Sequence, residues 1–172
     1  LQSADLGALA TNTIAGIATT TLILMTTAQL AGLATRQIAA LDSAQLNALT
    51  SGQIFSLGSA QIGALTAQQI AAWSTTDVAA INTAGLAALN TAAVAALGSA
   101  QLNVLDGAIG VLGTAQVAAL STAALAGLGT DEVVALSTRQ AAVLSSNQVR
   151  ALSTRSIQAR ETADLAALRT QS

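Results

Sequence analysis

The side chains of this sequence that could act in acid–base or nucleophilic chemistry are confined to carboxylates and hydroxyls. The chain has no Cys, His, Tyr or Lys, so thiol nucleophiles, imidazole bases and Schiff-base amines are missing. Asp131 and Glu132 form an adjacent pair that could divide acid and base roles. They also fall in the first turn of an expected helix, where the helix dipole favours carboxylates, and we adopt that interpretation. We predict that the chain is not an enzyme and has no catalytic, cofactor-binding or metal-ligating residue and no small-molecule substrate.

The charge of the chain argues against a nucleic-acid partner. Its formal net charge is −2, and all six basic residues are arginines. Five of them lie at 139–169, interspersed with Asp131, Glu132, Glu161 and Asp164. Nucleic-acid affinity depends on cations that neutralise many phosphates. We therefore interpret this region as a more soluble end of the array.

A membrane span is also not expected. The stretch from Leu6 to Thr35 carries no charge but contains many Thr residues, and its apolar core, Leu22 to Met25, is far shorter than a bilayer requires. The sequence begins at Leu1 without a basic segment followed by an apolar run. The expectation from that beginning is a processed product or a fragment.

The dominant feature is an eight-residue repeat that starts at Ser3 and continues to residue 169. Typical blocks are SAQLNALT at 43–50 and SAQIGALT at 59–66. Position 1 is Ser or Thr in all blocks but two, position 3 is most often Gln, position 4 is aliphatic and position 7 is nearly always Leu. The register slips once, at 107–113, where a block has seven residues. We predict one repeat domain over 3–169, with a more charged end at 130–169.

The spacing of the apolar residues predicts very short helices. Positions 4 and 7 are three apart, and Ala, Leu and Gln favour helix over strand. A continuous helix turns about 100° per residue, so each block would rotate the apolar pair by about 80° and no single face could be buried. The chain must therefore turn once in each block. A helix this short is not stable alone, which predicts an all-α solenoid with one capped turn per eight-residue repeat.

Position 8 is predicted to be the N-cap of the next helix, because it is commonly Asp, Asn, Ser, Thr or Gly. Gln at position 3 then takes the N3 place of a capping box, as in Asp42-Ser-Ala-Gln45 and Ser137-Thr-Arg-Gln140. The same frame pairs Leu41 with Leu46 as a hydrophobic staple.

Three structural questions stay open at this level. The position-1 hydroxyl could bond a carbonyl of a neighbouring helix or layer, or could simply belong to a capped turn. The Gln series from Gln29 to Gln69 could form an amide ladder between layers, although we favour simple capping. Two, three or four blocks per coil are compatible with the pattern, and two or three are preferred.

Several residues depart from the usual occupant of their position. Asp5, Asp77 and Asp164 replace the position-3 Gln, where a carboxylate can also serve in a cap. Trp73 and Met25 stand at position 7 and are expected to fill the core rather than bind a ligand. Arg160 at position 7 and Ala141 at position 4 predict that the array loosens near its end.

The run TAQLAGLATRQIAALDSAQLNALTSGQIFSLGSAQIGALTAQQIAAW at 27–73 resembles the octapeptide arrays, T-x-x-Q-I/L-x-A-L, of giant secreted proteobacterial adhesins and exoproteins. The resemblance covers essentially all of 3–169. It implies an extracellular or cell-surface structural and adhesive array that acts as a stalk, a matrix component or a filament subunit. It carries no active-site motif. The expected partners are copies of the chain itself, and the alternative is an ice-binding or peptide-binding solenoid surface.

Overall fold

The chain folds into a series of short helices, each formed by one repeat. The structure is a computed structural model that describes residues 3–153 and 156–158, with side chains from residue 5 onward. Within these residues the chain forms no β-strand, and none of the described helices is long and apolar enough to span a bilayer. The helices are α1 (Ser3–Ala8), α2 (Thr11–Ala15), α3 (Thr19–Leu22), α4 (Thr27–Ala31), α5 (Thr35–Ala39), α6 (Ser43–Asn47), α7 (Ser51–Ser56), α8 (Ser59–Gly63), α9 (Ala67–Ala72), α10 (Thr75–Ala79), α11 (Thr83–Ala88), α12 (Thr91–Ala95), α13 (Ser99–Asn103), the 3-10 helix η1 (Ala108–Val111), α14 (Thr114–Ala119), α15 (Thr122–Ala126), α16 (Thr130–Ala135), α17 (Thr138–Ala142) and α18 (Ser146–Ala151).

The all-α class and the solenoid of short helices are thus confirmed. In the described blocks other than the seven-residue one, position 1 is the first helical residue. The position-8 residue before it is extended, as at Asp42 with φ −79° and ψ 170°. The predicted capping box is present there: Asp42 Oδ1 accepts the Gln45 N–H at 2.7 Å, and Gln45 Oε1 accepts the Asp42 N–H at 2.9 Å. Ser137 and Gln140 form the second predicted box. Extended residues between successive helices, such as Leu57 and Gly58, therefore redirect the chain.

The helices stack with a stagger. Each helix packs against the third helix along the chain, as α8 does against α11 and α9 against α12. The position-3 Gln of a block nevertheless reaches the block four earlier, as Gln61 reaches the carbonyls of Leu30 and Leu33. A coil therefore holds between three and four blocks, more than the two or three that the sequence favours. The apolar pattern requires a turn in each block, but the angle of that turn is set by how neighbouring coils pack.

One continuous apolar core runs along the interior of the coil. Positions 4 and 7 supply it, and Ile62 and Leu65 have no exposed surface at all. Trp73 is 3% exposed in this core, as predicted, and its indole Nε1 has no hydrogen-bond partner among the described residues. Small residues allow neighbouring coils to approach closely: a Cβ on Gly63 would lie 2.8 Å from the carbonyl oxygen of Ala88 in the next coil.

The seven-residue block at 107–113 keeps the core spacing and loses a residue from its first turn. Ile109 and Leu112 are buried three residues apart, as positions 4 and 7 are elsewhere. Asp106 and Gly107 adopt left-handed backbone angles, with φ 47° and 83°, and the helix that follows is 3-10. Glycine adopts this conformation without the steric cost that a Cβ imposes. The register slip is therefore absorbed in the turn and the interior stays continuous.

From Thr11 to Ser146, the position-1 hydroxyls do not bond carbonyls of other layers. From Thr11 to Ser146 their side chains lie at the helix starts, exposed or half-buried. None of them in that range makes a hydrogen bond to a main-chain carbonyl. Of the two explanations that the sequence leaves open, the structure agrees with the capped turn. The predictions for residues 154–155 and 159–169, including those for Arg160 and Asp164, concern residues outside those that the structure describes.

We predict that Leu65→Ala lowers the free energy of unfolding by about 2–5 kcal/mol, because it opens a cavity in a fully buried site. Ala60→Ser, at an exposed position of the same block, should change it by less than about 0.5 kcal/mol. Urea unfolding followed by circular dichroism measures both values. Equal losses at the two sites would contradict the assigned interior.

Candidate functional site

The most distinctive chemical feature of the fold is a set of buried glutamine amides that join neighbouring coils. Gln61 shows the arrangement: its Oε1 accepts the Gly58 N–H at 2.9 Å, and its Nε2 donates to the carbonyls of Leu30 at 2.9 Å and Leu33 at 2.7 Å. The side chain is 5% exposed. One amide therefore caps its own helix and also binds the end of a helix in the preceding coil.

The same contact recurs along the array. Each bridging glutamine is buried, its Oε1 accepts the N–H of the N-cap residue three positions before it, and its Nε2 donates to carbonyls four blocks earlier. The glutamines that do so are Gln37, Gln45, Gln53, Gln61, Gln69, Gln101, Gln116, Gln140 and Gln148. The preferred capping role is confirmed. Coils are also joined, although the amides bind main-chain carbonyls rather than one another. We call this contact the amide bridge.

In α11 and α12, where position 3 is small, asparagine at the N-cap takes the place of the bridging glutamine. In α11 the N3 residue is Gly85, and the N-cap Asn82 accepts its N–H with Oδ1 while Nδ2 donates to the Phe55 carbonyl at 2.9 Å. In α12 Asn90 does the same for Ala93 and donates to the Leu65 carbonyl at 2.7 Å. The Asn amide starts three residues earlier yet reaches the same coil. The replacement of Gln at position 3 by Asn at the N-cap is present in the sequence, but it can be recognised only once the contact between coils is known.

Two carboxylates occupy the position of the bridging amide. Asp77 Oδ2 accepts both the N–H and the hydroxyl of Ser74, at 2.9 and 2.7 Å. Glu132 is 5% exposed, and the N–H of its N-cap, Gly129, donates to Asn103 Oδ1 at 3.1 Å instead. Neither side chain has an amide N–H to offer the preceding coil. Both blocks lack the amide bridge, and the Asp77 block keeps its capping box.

The adjacent carboxylates Asp131 and Glu132 lie in different surroundings. Asp131 is exposed while its neighbour Glu132 is buried, so the two point into different surroundings. Both lie in the first turn of α16, where the sequence placed them. No three His, Cys, Asp or Glu side chains among the described residues come close enough to hold a metal ion.

An open apolar groove lies at the N-terminal end. It has a volume of about 450 Å³ and is lined by Leu6, Leu9, Thr13, Ile17, Thr21, Leu24, Met25 and Gln29. Leu24 is 82% exposed and its neighbour Ile23 is 48% exposed. In later blocks the corresponding positions hold mostly Ala or another small residue. We call this surface the N-terminal groove.

We predict that Gln61→Glu lowers the free energy of unfolding at pH 7 by about 1–3 kcal/mol, because it keeps the acceptor and removes the amide donor from buried carbonyls. Glu132→Gln should raise it by about 1 kcal/mol by supplying the missing donor. Gln68→Glu, at an exposed position, is the matched control. Denaturant titrations measure all three, and a neutral Gln61→Glu would contradict the amide bridge.

Comparison with known proteins places the chain in a repeat family. The model of the ALTTAQ repeat matches residues 25–59, 38–75, 74–107 and 109–146. The matches cover well over half of the chain, and they break at the seven-residue block. In this chain the sequence that corresponds to LTTAQ lies where one helix ends and the next begins, as in Met25-Thr26-Thr27-Ala28-Gln29. No curated protein and no solved structure matches the chain. The chain, with its octads and its amide bridges, belongs to the ALTTAQ repeat family.

Proposed function

We propose that the chain is an extracellular structural array, a stalk or spacer that holds other parts of a surface assembly at a fixed distance. The observation that carries the proposal is the uniform contact pattern. Among the described residues, the helices that pack most closely are three blocks apart, and the glutamine bridges span four blocks. Each coil is therefore supported only by its neighbours, and the length of such an array follows directly from the number of blocks.

The composition and the resemblance to adhesin arrays support the same proposal. The sequence has no Cys, His, Tyr or Lys, and the buried apolar residues form one cluster along the array. Arrays of T-x-x-Q-I/L-x-A-L octads resemble regions of giant secreted proteins, and this is the basis for an extracellular or cell-surface location. A matrix component or a filament subunit would use the same rod.

The geometry argues against the ice-binding alternative. A flat ice-binding face needs Thr side chains in register from one coil to the next. Here each helix packs on the block three away while its glutamine binds the block four away, so equal positions in consecutive coils are offset. We therefore favour the structural array over an ice-binding surface.

We predict that deletion of residues 35–66 leaves a shorter rod. This removes four whole octads and joins Ala34 to Ala67, so that Gln69 still stands three residues after the N-cap. Packed helices lie about 8–10 Å apart, and the rod should shorten by about 10 Å because slightly more than one coil is lost. Small-angle X-ray scattering measures the maximum dimension.

Deletion of residues 35–70 is the matched control, because it breaks the octad frame by half a block and should abolish cooperative unfolding. A full-length protein that is compact, or whose longest dimension does not respond to the in-frame deletion, would rule out a spacer. Antibody labelling of intact source cells tests the location. Labelling that requires permeabilisation would contradict an extracellular array.

A further inference from the structure

We propose that the array contains a hinge at Asp106 and Gly107, where the blocks up to residue 106 and the blocks from residue 107 onward bend apart before either segment unfolds. The hinge goes beyond the proposed spacer and does not depend on it, because it concerns the contacts between coils and not what the array holds. Two features place it here: the amides that cross this point of the chain, and the backbone of the turn itself.

At an ordinary block boundary, several amide bridges join the blocks on its two sides. A bridging glutamine reaches carbonyls four blocks earlier, so the four blocks after a boundary are the ones whose bridges cross it. After residue 42 all four carry a glutamine whose amide crosses the boundary: Gln45, Gln53, Gln61 and Gln69. The coils on either side of such a boundary are therefore joined at every block.

The boundary after Asp106 is different. In the four blocks that follow it, position 3 holds Ala108, Gln116, Ala124 and Glu132. Alanine and an ionised carboxylate have no N–H to donate, and no N-cap of these helices is an asparagine. Only Gln116 reaches back, to the carbonyl of Leu89 at 2.6 Å. Every other block boundary from residue 34 to residue 129 is crossed by at least two such amides.

One side chain links the two segments in the opposite direction. Asn103 Nδ2 donates to the Gly127 carbonyl at 2.9 Å, and its Oδ1 accepts the Gly129 N–H at 3.1 Å. Asn103 is exposed, so water competes for both bonds, and their net contribution is small. Among the described residues, the other side-chain hydrogen bonds across this boundary are those of Gln116. The closed form therefore depends on these two side chains and on apolar packing.

The backbone at the boundary favours bending at the same point. The N-caps of α13 and α14, on either side of it, are extended, whereas Asp106 and Gly107 have φ 47° and 83°. The left-handed region costs energy for a residue with a Cβ, such as Asp106. Hinges are a few residues at the ends of elements that absorb backbone rotation. A rotation at Asp106 would release this cost and move the two segments as bodies.

Distances between spin labels on the full chain test the hinge, because the chain has no cysteine of its own. Cysteines are introduced in pairs at exposed position-2 residues of helices that pack three blocks apart. One pair spans the boundary and one lies within each segment: Ala100 with Ala123, Ala44 with Gln68, and Ala115 with Arg139. Pulsed electron paramagnetic resonance should give a second, longer distance for the spanning pair and a single distance for the other two.

Variants of the crossing amides test the cause. Ala124→Gln supplies an absent bridge and should suppress the longer distance, whereas Ala115→Gln, at an exposed site of the same segment, should leave it. Asn103→Ala should raise the ratio of open to closed form about fivefold, the factor for one net hydrogen bond. Asn47→Ala removes the equivalent bond, to the Ala72 carbonyl, at boundaries with more bridges, and should leave the pair at residues 44 and 68 with one distance.

Two results would overturn the hinge. The first is a single distance for the spanning pair in both the unaltered chain and Asn103→Ala, which would mean that the boundary stays closed. The second is a longer distance also for the pair at residues 115 and 139, which would mean that the whole second segment loosens and that no single point bends.

Discussion

Helices of four to six residues leave most of their backbone polar groups without an intrahelical partner, and the rest of this structure depends on how those groups are satisfied. An α-helix has four free N–H groups at one end and four free carbonyls at the other. In a helix this short, nearly every peptide group belongs to an end. The amide bridge supplies partners for both kinds of group with one side chain, since Gln61 accepts the N–H of its own N-cap and donates to two carbonyls of the preceding coil. Capping and stacking are therefore the same interaction.

Because one side chain both caps a helix and joins two coils, the residue types of the repeat are restricted at a few positions and vary at the others. The N-cap can be Thr, Ser, Asp, Gly or Ala as long as Gln stands three residues later. Where Gln is lost, Asn82 and Asn90 supply an equivalent amide from the N-cap. The seven-residue block keeps the same contact: its first turn is shortened, but Gln140 still donates to the carbonyl of Leu112 at 2.6 Å. The contact between coils is preserved while the local helix changes type.

The side-chain contacts between coils run in both directions along the chain. A glutamine bridge runs from a donor in one coil to carbonyls in the coil before it, as Gln61 does. Asn47 and Asn103 donate the other way, to the carbonyls of Ala72 and Gly127 in the coil that follows. In the first three blocks Thr13 and Thr21 stand where later blocks hold Gln, and they line the N-terminal groove together with apolar side chains. The amides that join coils therefore come from more than one position of the repeat.

The sequence by itself determined the elements of this protein, and the reason is that they follow from local rules. The eight-residue spacing excludes a continuous helix, the position-8 residues fit N-caps, and Asp42 with Gln45 fits a capping box, all without reference to other coils. The core positions also followed, because Ile62 and Leu65 are the apolar residues that each block contributes. The core role of single residues such as Trp73 could be predicted because each stands at an apolar position of its block.

Only the tertiary structure decided the number of blocks in a coil and the second role of the glutamines. Both depend on atoms that lie 28 to 31 residues apart, such as Gln37 Nε2 and the carbonyls of Leu9 and Leu6. The turn angle at each N-cap has many values compatible with the same apolar pattern, and packing between coils selects among them. The exchange of Gln for Asn, the burial of Glu132 and the open groove follow from that selection. Each is a property of contacts between coils, which an eight-residue pattern does not specify.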